Sequence, residues 1–370
     1  MILYEFEAKS IIETYGIPTE KSIVVDKRRL HLLGERISDL QPPYVVKAQV
    51  RGWGRGKAGL IVSANSVDEA VKAAEKLFNS RFAGKPINYV MLSEHVNVRE
   101  ELYVSMMLTD SPPGTLILAS KHGGIEVEDL AIREGALLKL HVDPFEGLRE
   151  YHIRRVAKHL KLNFEKLSSI LKGMYKAVWD YSLLLLEINP LAVTDNGVIA
   201  IDRKAVVDSD SENQKLSEFI SRYREDLSEI ERQAALQGFS LVEMDGDVAI
   251  IGNGAGLTMA TLDEVSDVEV KPAFFLDLGG GASAENIAKA LKLVLAKPGL
   301  KTILVNILGG ITRCDEVAKG LVTAFRESGS DVKLVVRLSG HMEEEGRKVL
   351  EEAGIRSYER LEEAIKEVVH

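Results

Sequence analysis

The sequence has few of the features that mark extracellular, membrane or nucleic-acid-coating proteins. Only one cysteine, Cys314, occurs among 370 residues, so the chain forms neither an internal disulfide nor a cysteine-based metal cluster. Apolar runs such as 183–186 and 303–305 are much shorter than the roughly 18 residues that a membrane span needs. The net charge of −9 argues against a surface that coats nucleic acid. These absences exclude redox, structural-zinc and histone-like roles.

The length and the first residues narrow the class of protein further. A chain of 370 residues fits two globular domains. Glu5 and Glu7 lie where a signal peptide carries basic residues. We therefore expect a cytoplasmic protein with no membrane partner and no nucleic-acid partner.

The first two thirds of the chain predict a mixture of helices and strands. Residues 4–15 carry apolar side chains on one helical face, and the Gly-Ile-Pro sequence at 16–18 ends that helix. Ser66 and Glu69 form a capping box ahead of another helix. The predicted strands are 22–25, 44–49, 89–96, 101–109, 115–120 and 198–207. Because helices and strands do not alternate regularly, we expect a mostly antiparallel sheet with helices on one face.

From residue 247 onward, short apolar runs are each followed by a helical pattern. The runs are 248–251, 274–278, 302–308 and 334–338. This spacing predicts βα units and a doubly wound parallel sheet. We therefore expect a first domain at 1–236, with an inserted subdomain of about 22–97, and a second domain at 237–370.

Glycines follow these later strands, at the predicted carboxyl edge of the sheet. They lie within 252–256, 279–281 and 309–310, and at 340. Glycine permits positive φ and leaves backbone amides accessible, and open α/β sheets bind ligands at this edge. The pattern predicts an anion or carboxylate site, and simple tight turns are the alternative.

A lysine in an apolar strand precedes a basic, glycine-rich loop. The strand contains Lys47, and the loop contains Gly54, Arg55 and Gly56. A lysine on a rigid strand supplies a fixed charge, while glycine amides and an arginine suit phosphate oxygens. The loop is not a Walker A motif, because Ala58 stands where Ser or Thr binds Mg²⁺. A phosphate site and a solvated basic loop both remain open.

Two oxygen-bearing side chains follow neighbouring predicted strands. Glu187 and Asn189 lie just after the apolar run 183–186, and Asp202 follows a predicted hairpin turn at 195–197. Mg²⁺ takes oxygen ligands and often uses one or two protein groups together with nucleotide phosphates. Asn189 and Asp202 therefore predict a metal site, with hydrogen bonding to the backbone as the alternative.

Other charged groups give weaker signals. Glu94 and Glu101 flank a strand break, and their position is typical either of acids that accept hydrogen bonds from a ribose and orient a phosphate or metal, or of ordinary strand-end carboxylates. Asp277 follows the strand after 252–256, but the glycine spacing is not that of a dinucleotide fold. The eight histidines show no metal-ligand spacing. A non-catalytic dinucleotide or carboxylate sensor stays open as an alternative.

The sequence resembles the β subunits of succinyl-CoA synthetases (succinate–CoA ligases) along nearly its whole length. The shared motifs occur in family order at 4–9, 15–18, 46–50, 54–59, 187–191, 253–257, 275–281 and 305–315. The resemblance implies an α/β protein with an ATP-grasp domain at 1–236 and a flavodoxin-like, doubly wound CoA-ligase domain at 237–370.

The resemblance also assigns roles to the residues at matching positions. It implies that ATP or ADP, with GTP and GDP not excluded, is bound by Lys47, Gly54, Arg55, Gly56, Glu94, Val96 and Glu101. It implies that the organic acid is bound by Asn253, Gly309, Gly310 and Ile311. It implies that Mg²⁺ is held by Asn189 and Asp202, and that Glu187 faces a phosphohistidine.

The implied reaction is succinyl-CoA + ADP + phosphate = succinate + CoA + ATP. In this family a partner α subunit carries the phosphohistidine and the CoA site, and its mobile histidine delivers the phosphoryl group to ADP. We therefore expect an α/β heterodimer or heterotetramer. Two alternatives stay open: a subunit of a related synthetase for another acid, and a self-sufficient ATP-grasp carboxylate ligase.

Several residues depart from the family pattern. Arg203 follows the metal-site aspartate where glycine is common, and Trp53 replaces a glycine of the phosphate loop. His122, Ser339 and His341 also differ from the usual residues.

Overall fold

The computed structural model describes residues 1–52, 54–82, 84–125, 135–208, 211–281 and 283–369. These residues form two compact units, Met1–Ser221 and Arg222–His370. Trp53 lies outside the described residues. No helix in the described part of the chain is long and apolar enough to cross a membrane.

The first unit begins with helix α1 (Glu5–Glu13) and a small four-stranded sheet. The sheet is antiparallel and contains, in spatial order, β1 (Ser22–Asp26), β6 (Tyr89–Glu94), β2 (Tyr44–Gln49) and β3 (Ile61–Ala64). The other elements of this region are α2 (Leu33–Arg36), α3 (Val67–Phe78), β4 (Arg81–Phe82) and β5 (Lys85–Pro86). Ser66 accepts a hydrogen bond from the Glu69 amide at 3.2 Å, so the predicted cap starts α3.

A second antiparallel sheet forms the larger part of the first unit. Its strands are β7 (Glu100–Asp110), β8 (Pro113–Ser120), β9 (Leu137–Val142), β10 (Leu183–Thr194), β11 (Gly197–Ala200) and β12 (Arg203–Val207). Helices α1, α4 (Glu150–Leu160) and α5 (Phe164–Asp180) contribute to its hydrophobic core. The core includes Ile11, Ile153 and Met174, which are all buried. The prediction of a mostly antiparallel sheet is confirmed.

The predicted single strand at 198–207 was wrong, because the structure breaks it at residues 201–202. On one side of the break β11 pairs with 191–194 of β10, and on the other β12 pairs with 183–188 of the same strand. The break allows the Asn189 amide to donate to the Asp202 carbonyl at 2.9 Å. The two predicted metal ligands are therefore direct neighbours.

The second unit is a doubly wound α/β sheet, as predicted. Its strands, in spatial order, are β13 (Ser240–Glu243), β15 (Pro272–Asp277), β14 (Val248–Gly252), β16 (Thr302–Gly309), β17 (Lys333–Gly340) and β18 (Ser357–Tyr358). Strand β13 is antiparallel, and the five parallel strands follow the order 2-1-3-4-5 that is typical of flavodoxin-like folds.

Helices of the second unit pack against both faces of this sheet. They are α7 (Glu229–Leu236), α8 (Ala255–Asp267), α9 (Ala284–Leu295), α10 (Cys314–Ser328), α11 (Glu343–Glu352) and α12 (Leu361–Val369), while α6 (Ser217–Asp226) spans the division between the units. One core contains Leu291, Leu321 and Leu350, and a separate core contains Val265 and Ile365. Two cores are what a sheet covered on both faces requires.

The division between the units falls one helix earlier than the predicted boundary at 236/237. Ala234 on α7 is fully buried in the core of the second unit, beside Phe239 and Leu241. Residues 222–236 therefore belong to the second compact unit. The sequence at 208–231 is highly charged, which is typical of a connecting segment, so the predicted boundary lies after it.

Candidate functional site

Lys47 is a buried cation whose position is set by a rigid central strand. It lies on β2, between β6 and β3, and only 4% of its surface is exposed. Its Nζ donates to Glu5 Oε1 at 2.9 Å and to the Ile201 carbonyl at 3.0 Å. A buried ammonium group requires such partners, because its charge is otherwise poorly solvated.

Arg55 is the second buried cation, and a tight turn carries it. Gly54 has φ of 85°, a conformation that favours glycine, and its carbonyl accepts the Ala58 amide at 3.0 Å. The Arg55 guanidinium donates from Nη1 to Glu5 Oε2 at 2.6 Å and from Nη2 to Asp202 Oδ1 at 2.7 Å. Gly56 is exposed in the same loop. The structure thus brings Lys47, Arg55 and Asp202 together.

The carboxylate that joins the two cations is Glu5, for which the sequence predicted no role in a site. Glu5 opens α1 and is 3% exposed. Burial alone would raise the pKa of its carboxyl group, but the charges of Lys47 and Arg55 outweigh burial and hold that pKa far below its usual range. Likewise, burial acts to lower the pKa of Arg55, but Glu5 and Asp202 raise it. Glu5 and Arg55 are therefore both charged at neutral pH.

Asn189 and Asp202 provide oxygen atoms of the type that Mg²⁺ prefers. The Asp202 side chain is 24% exposed, so one face of its carboxylate remains accessible beside Arg55. Asn189 Oδ1 accepts the Gly124 amide at 2.7 Å, and its Nδ2 donates to the Ile125 carbonyl at 2.9 Å. No cluster of three or more His, Cys, Asp or Glu residues in the described ranges can hold a metal. The pair therefore fits a magnesium ion that takes its other ligands from a nucleotide and water.

Arg203, the residue that departs from the family glycine, is buried in an ion pair with Glu20. Its guanidinium donates to both carboxylate oxygens of Glu20, with a distance of 3.1 Å from Nη1 to Oε1. It also donates to the Ile201 carbonyl at 3.0 Å and lies 3.9 Å from Glu5. Glu20 lines a cavity of about 380 Å³ together with Lys9. The positive charge that Arg203 introduces is thus compensated by the carboxylate of Glu20.

Glu187 lies on β10 directly opposite Lys204 of β12. Its Oε1 is 3.2 Å from Lys204 Nζ, and its Oε2 accepts from the Tyr103 hydroxyl at 3.2 Å. The residue is 7% exposed. These two donors orient a carboxylate that is separated from Asn189 and Asp202 by one residue pair, Ile188 and Arg203.

The remaining predicted nucleotide residues contact other groups. Glu94 ends β6 and accepts the Gln41 amide at 3.0 Å, while Val96 is half-buried in the connection after β6. Glu101 lies near the start of β7 and is exposed, and a side chain at Gly124 would collide with its carboxylate. Glu101 and Asn189 therefore flank the same turn, whereas Glu94, within the described chain, forms neither a hydrogen bond nor an ion pair with Lys47 or Arg55.

In the second unit, the residues predicted to bind the carboxylate substrate meet at the carboxyl edge of the parallel sheet. Asn253 donates to the Leu308 carbonyl at 2.9 Å and accepts the Leu308 amide at 2.9 Å. This pairing places Asn253 beside Gly309 and Gly310. Ile311 is 89% exposed. The structure thus brings these four residues to one rim, although the Asn253 amide is occupied by the backbone.

The glycines of this rim differ in the space around them. A Cβ at Gly309 would lie 2.7 Å from the His341 amide nitrogen and 2.9 Å from Cys314 Sγ, whereas a Cβ at Gly310 meets no described atom within 4 Å. Gly309 is therefore required for packing. Gly310 leaves open space above the sheet edge.

Asp277, which the sequence offered only as the acid of a weak dinucleotide-fold pattern, has a structural role here. Its Oδ1 accepts the Gly254 amide at 2.6 Å and the Gly279 amide at 2.9 Å. It therefore joins two glycine turns at the ends of β14 and β15. This geometry accounts for an acid at this position without a dinucleotide.

Comparison with known proteins agrees with this architecture. A family profile described as ATP-grasp domain matches residues 2–193, and one described as CoA-ligase matches residues 251–369. ATP citrate lyase from Methanothrix soehngenii, solved with citrate and coenzyme A, has a TM-score of 0.66 at 19% identity, covering 96% of this chain and 95% of that chain. At this low identity the likeness shows the fold.

Two curated relatives match the chain from end to end. The succinate–CoA ligase [ADP-forming] subunit beta of Ignicoccus hospitalis is 43% identical over 373 residues, which cover 100% of this chain and 98% of that protein. The protein of the same name from Methanocaldococcus jannaschii is 39% identical over 375 residues, covering 100% and 99%. This chain therefore belongs to the family of succinate–CoA ligase β subunits, which combine an ATP-grasp domain with a CoA-ligase domain.

Proposed function

We propose that this chain is the nucleotide-binding subunit of a succinate–CoA ligase that catalyses succinyl-CoA + ADP + phosphate = succinate + CoA + ATP. The observation that carries the proposal is the joining of Lys47 and Arg55 with Asp202 in the ATP-grasp domain. Full-length relatives named for this ADP-forming activity support it, and they favour ADP and ATP over GDP and GTP.

In the proposed nucleotide site, Lys47 and Arg55 bind phosphate oxygens and neutralise their charge. Phosphoryl transfer depends chiefly on positioning and charge stabilisation, so two cations that are both bonded to one buried carboxylate, Glu5, suit it. Gly54 and Gly56 leave the loop backbone uncovered around Arg55. Glu94, Val96 and Glu101 are assigned to the remainder of the nucleotide by the family resemblance.

Asn189 and Asp202 hold Mg²⁺ in this proposal. When bound, the ion supplies additional positive charge to the phosphates. Asp202 contributes a carboxylate and Asn189 an amide oxygen, and the backbone hydrogen bond between them keeps the two residues together. Arg55 releases Asp202 as it turns to the phosphate.

Glu187 faces a phosphohistidine that a partner α subunit contributes, together with the CoA site. Tyr103 and Lys204 orient the Glu187 carboxylate, so that it can accept a hydrogen bond from an imidazole N–H. The β-subunit names of the relatives support a heteromer of α and β chains.

The second unit binds succinate at the rim of the parallel sheet. Gly309, Gly310 and Ile311 present backbone at the carboxyl edge, and Asn253 fixes the start of that loop through Leu308. Backbone amides at such an edge suit a carboxylate.

The test is reconstitution of the purified full-length chain with candidate α-type partners. We expect CoA- and phosphate-dependent interconversion of ADP and ATP only when a partner is present, with phosphohistidine on the partner alone. Succinate should be preferred among several dicarboxylates. ATP turnover by the single chain would instead identify a self-sufficient ligase, and preference for another acid would identify a related synthetase.

A further inference from the structure

Glu5 has contacts that differ from those of a carboxylate that merely caps a helix. Its two oxygens accept hydrogen bonds from Lys47 and Arg55, which lie 42 and 50 residues away in the chain. Gln49 Nε2 also lies 3.4 Å from Glu5 Oε2. Glu5 therefore ties together two separate elements, the end of β2 and the glycine loop, at the start of α1.

Glu7 provides a comparison on the same helix. It is 1% exposed, accepts the Tyr4 amide at 2.8 Å and pairs with Arg51 at 3.0 Å. Glu7 thus combines a capping bond with a buried ion pair, and both stabilise the fold. Glu7 is therefore an acid of α1 whose role is purely structural, and it serves as a control for Glu5.

The bonds to Glu5 do not exhaust the donors of either cation. An ammonium group has three N–H donors, and Lys47 uses two of them within the described chain. A guanidinium has five, and Arg55 uses two of them with described partners. Both cations can therefore remain bonded to Glu5 while they donate to a phosphate.

The negative charge of Glu5 also compensates the repulsion between the two cations. Lys47 and Arg55 would repel each other if they were left side by side in a buried site. With one oxygen facing each cation, Glu5 holds both in fixed positions. A glutamine at this position has one acceptor oxygen and one donor nitrogen. Its amide nitrogen would therefore face one of the two cations and displace it.

We propose that Glu5 is a positioning residue that sets Lys47 and Arg55 for the diphosphate of the nucleotide. This inference rests on the proposed nucleotide site. Glu5 acts through the two cations and does not itself contact the phosphates, which its negative charge would repel.

The test is calorimetric titration of Mg-ADP into the full-length chain and its Glu5→Gln, Glu7→Gln and Arg55→Gln variants. We expect Glu5→Gln to weaken binding about tenfold or more, which corresponds to loss of one charge-assisted contact. Glu7→Gln should change the affinity less than about threefold. The double variant Glu5→Gln, Arg55→Gln should lose less affinity than the sum of the two single losses, because Glu5 acts in part through Arg55.

Unchanged or stronger binding by Glu5→Gln would overturn the inference, since stronger binding is what simple removal of a negative charge predicts. Additive losses in the double variant would also overturn it. If Glu5→Gln does not fold, Glu5→Asp keeps the charge and draws it back by one methylene group, and wild-type affinity in that variant contradicts positioning. If the wild-type chain does not bind Mg-ADP, the proposed function itself fails, and that outcome is distinct from a wild-type chain that binds and a Glu5 variant that binds equally well.

Discussion

Arg55 and Asp202 are hydrogen-bonded to each other, with 2.7 Å between Nη2 and Oδ1. The first residue is assigned to the nucleotide phosphates and the second to the metal ion. In this structure each therefore neutralises the other. Binding of a magnesium nucleotide exchanges one partly exposed ion pair for two new contacts, so metal and nucleotide should each favour binding of the other.

The Arg55–Asp202 pair predicts how a metal ion alone will bind. Arg55→Gln removes the cation beside Asp202, so Mn²⁺ without nucleotide should bind about threefold more tightly or better, the scale of a partly exposed ion pair. The free Mn²⁺ signal in electron paramagnetic resonance measures this affinity. Lys57→Gln, at an exposed position of the same loop, is the control and should leave it unchanged. Equal Mn²⁺ affinity in the Arg55 variant and the wild type would show that the pair does not restrain the metal site.

Substitution of Lys47 or Asp202 tests the nucleotide site directly. Lys47→Ala and Asp202→Ala should each abolish measurable Mg-ADP binding, because each removes a charge that the phosphates or the metal require. Calorimetry measures the binding, and circular dichroism verifies that the fold is intact. A variant that binds with wild-type affinity would remove its residue from the site.

Loss of the buried Glu20–Arg203 ion pair should lower the stability of the fold strongly. Glu20→Gln leaves the Arg203 charge buried with less compensation, and we expect the free energy of unfolding to fall by about 3–5 kcal/mol. Glu150→Gln breaks the exposed pair with Arg154, where both side chains are 64% exposed, and should lose less than about 1 kcal/mol. Urea unfolding compares the two variants. Equal losses would contradict a structural role for the buried pair.

The two rim glycines should respond differently to substitution. Gly310→Val adds a side chain to open space, so the fold should persist while the succinate concentration needed for half-maximal activity rises. Gly309→Ala collides with the His341 backbone and Cys314, so thermal stability should fall. Steady-state kinetics with the α partner and a thermal melt separate the two effects. An unaltered succinate dependence in Gly310→Val would exclude Gly310 from the carboxylate site.

His152 predicts a pH dependence of stability in the first unit. Burial lowers the pKa of His152, whose Nδ1 accepts the Arg149 amide at 3.1 Å at the start of α4. The unfolded chain therefore takes up a proton at higher pH than the folded chain, so this contribution is complete above the ordinary pKa and is lost as pH falls below about 6.5.

His152→Gln isolates this contribution, because glutamine also accepts a hydrogen bond at this capping position but does not titrate. Urea unfolding at about pH 7.5 and about pH 5.5 should show a smaller loss of stability in the variant than in the wild type. The same loss in both chains would assign the acid sensitivity to other groups.

Much of the architecture was predictable from local patterns. Strand β2 lies at the predicted residues 44–49, and the four apolar runs after residue 247 form parallel strands. These features depend on side-chain periodicity and on turns formed by neighbouring residues. The 198–207 strand was mispredicted because no glycine or proline marks the break at residues 201–202, which only pairing with β10 reveals.

The predicted site residues were recovered unevenly. Lys47, Arg55 and Asp202 meet in one buried cluster, while Glu94 contacts the Gln41 backbone instead. Glu5 was missed because an acid near a helix start usually serves only the helix. One signal was present in the sequence: Glu5 and Glu7 both lie on the inward side of the α1 pattern, where charged residues need partners.

The amino-acid sequence by itself determined the succession of helices and strands, the glycine turns and the family. All of these depend on the residues of short, continuous segments of the chain. Only the tertiary structure decided which charge faces which. Glu5, Lys47, Arg55 and Asp202 come from a helix, a strand, a loop and a strand break, and a buried charge takes whichever opposite charge folding brings within a few ångströms of it.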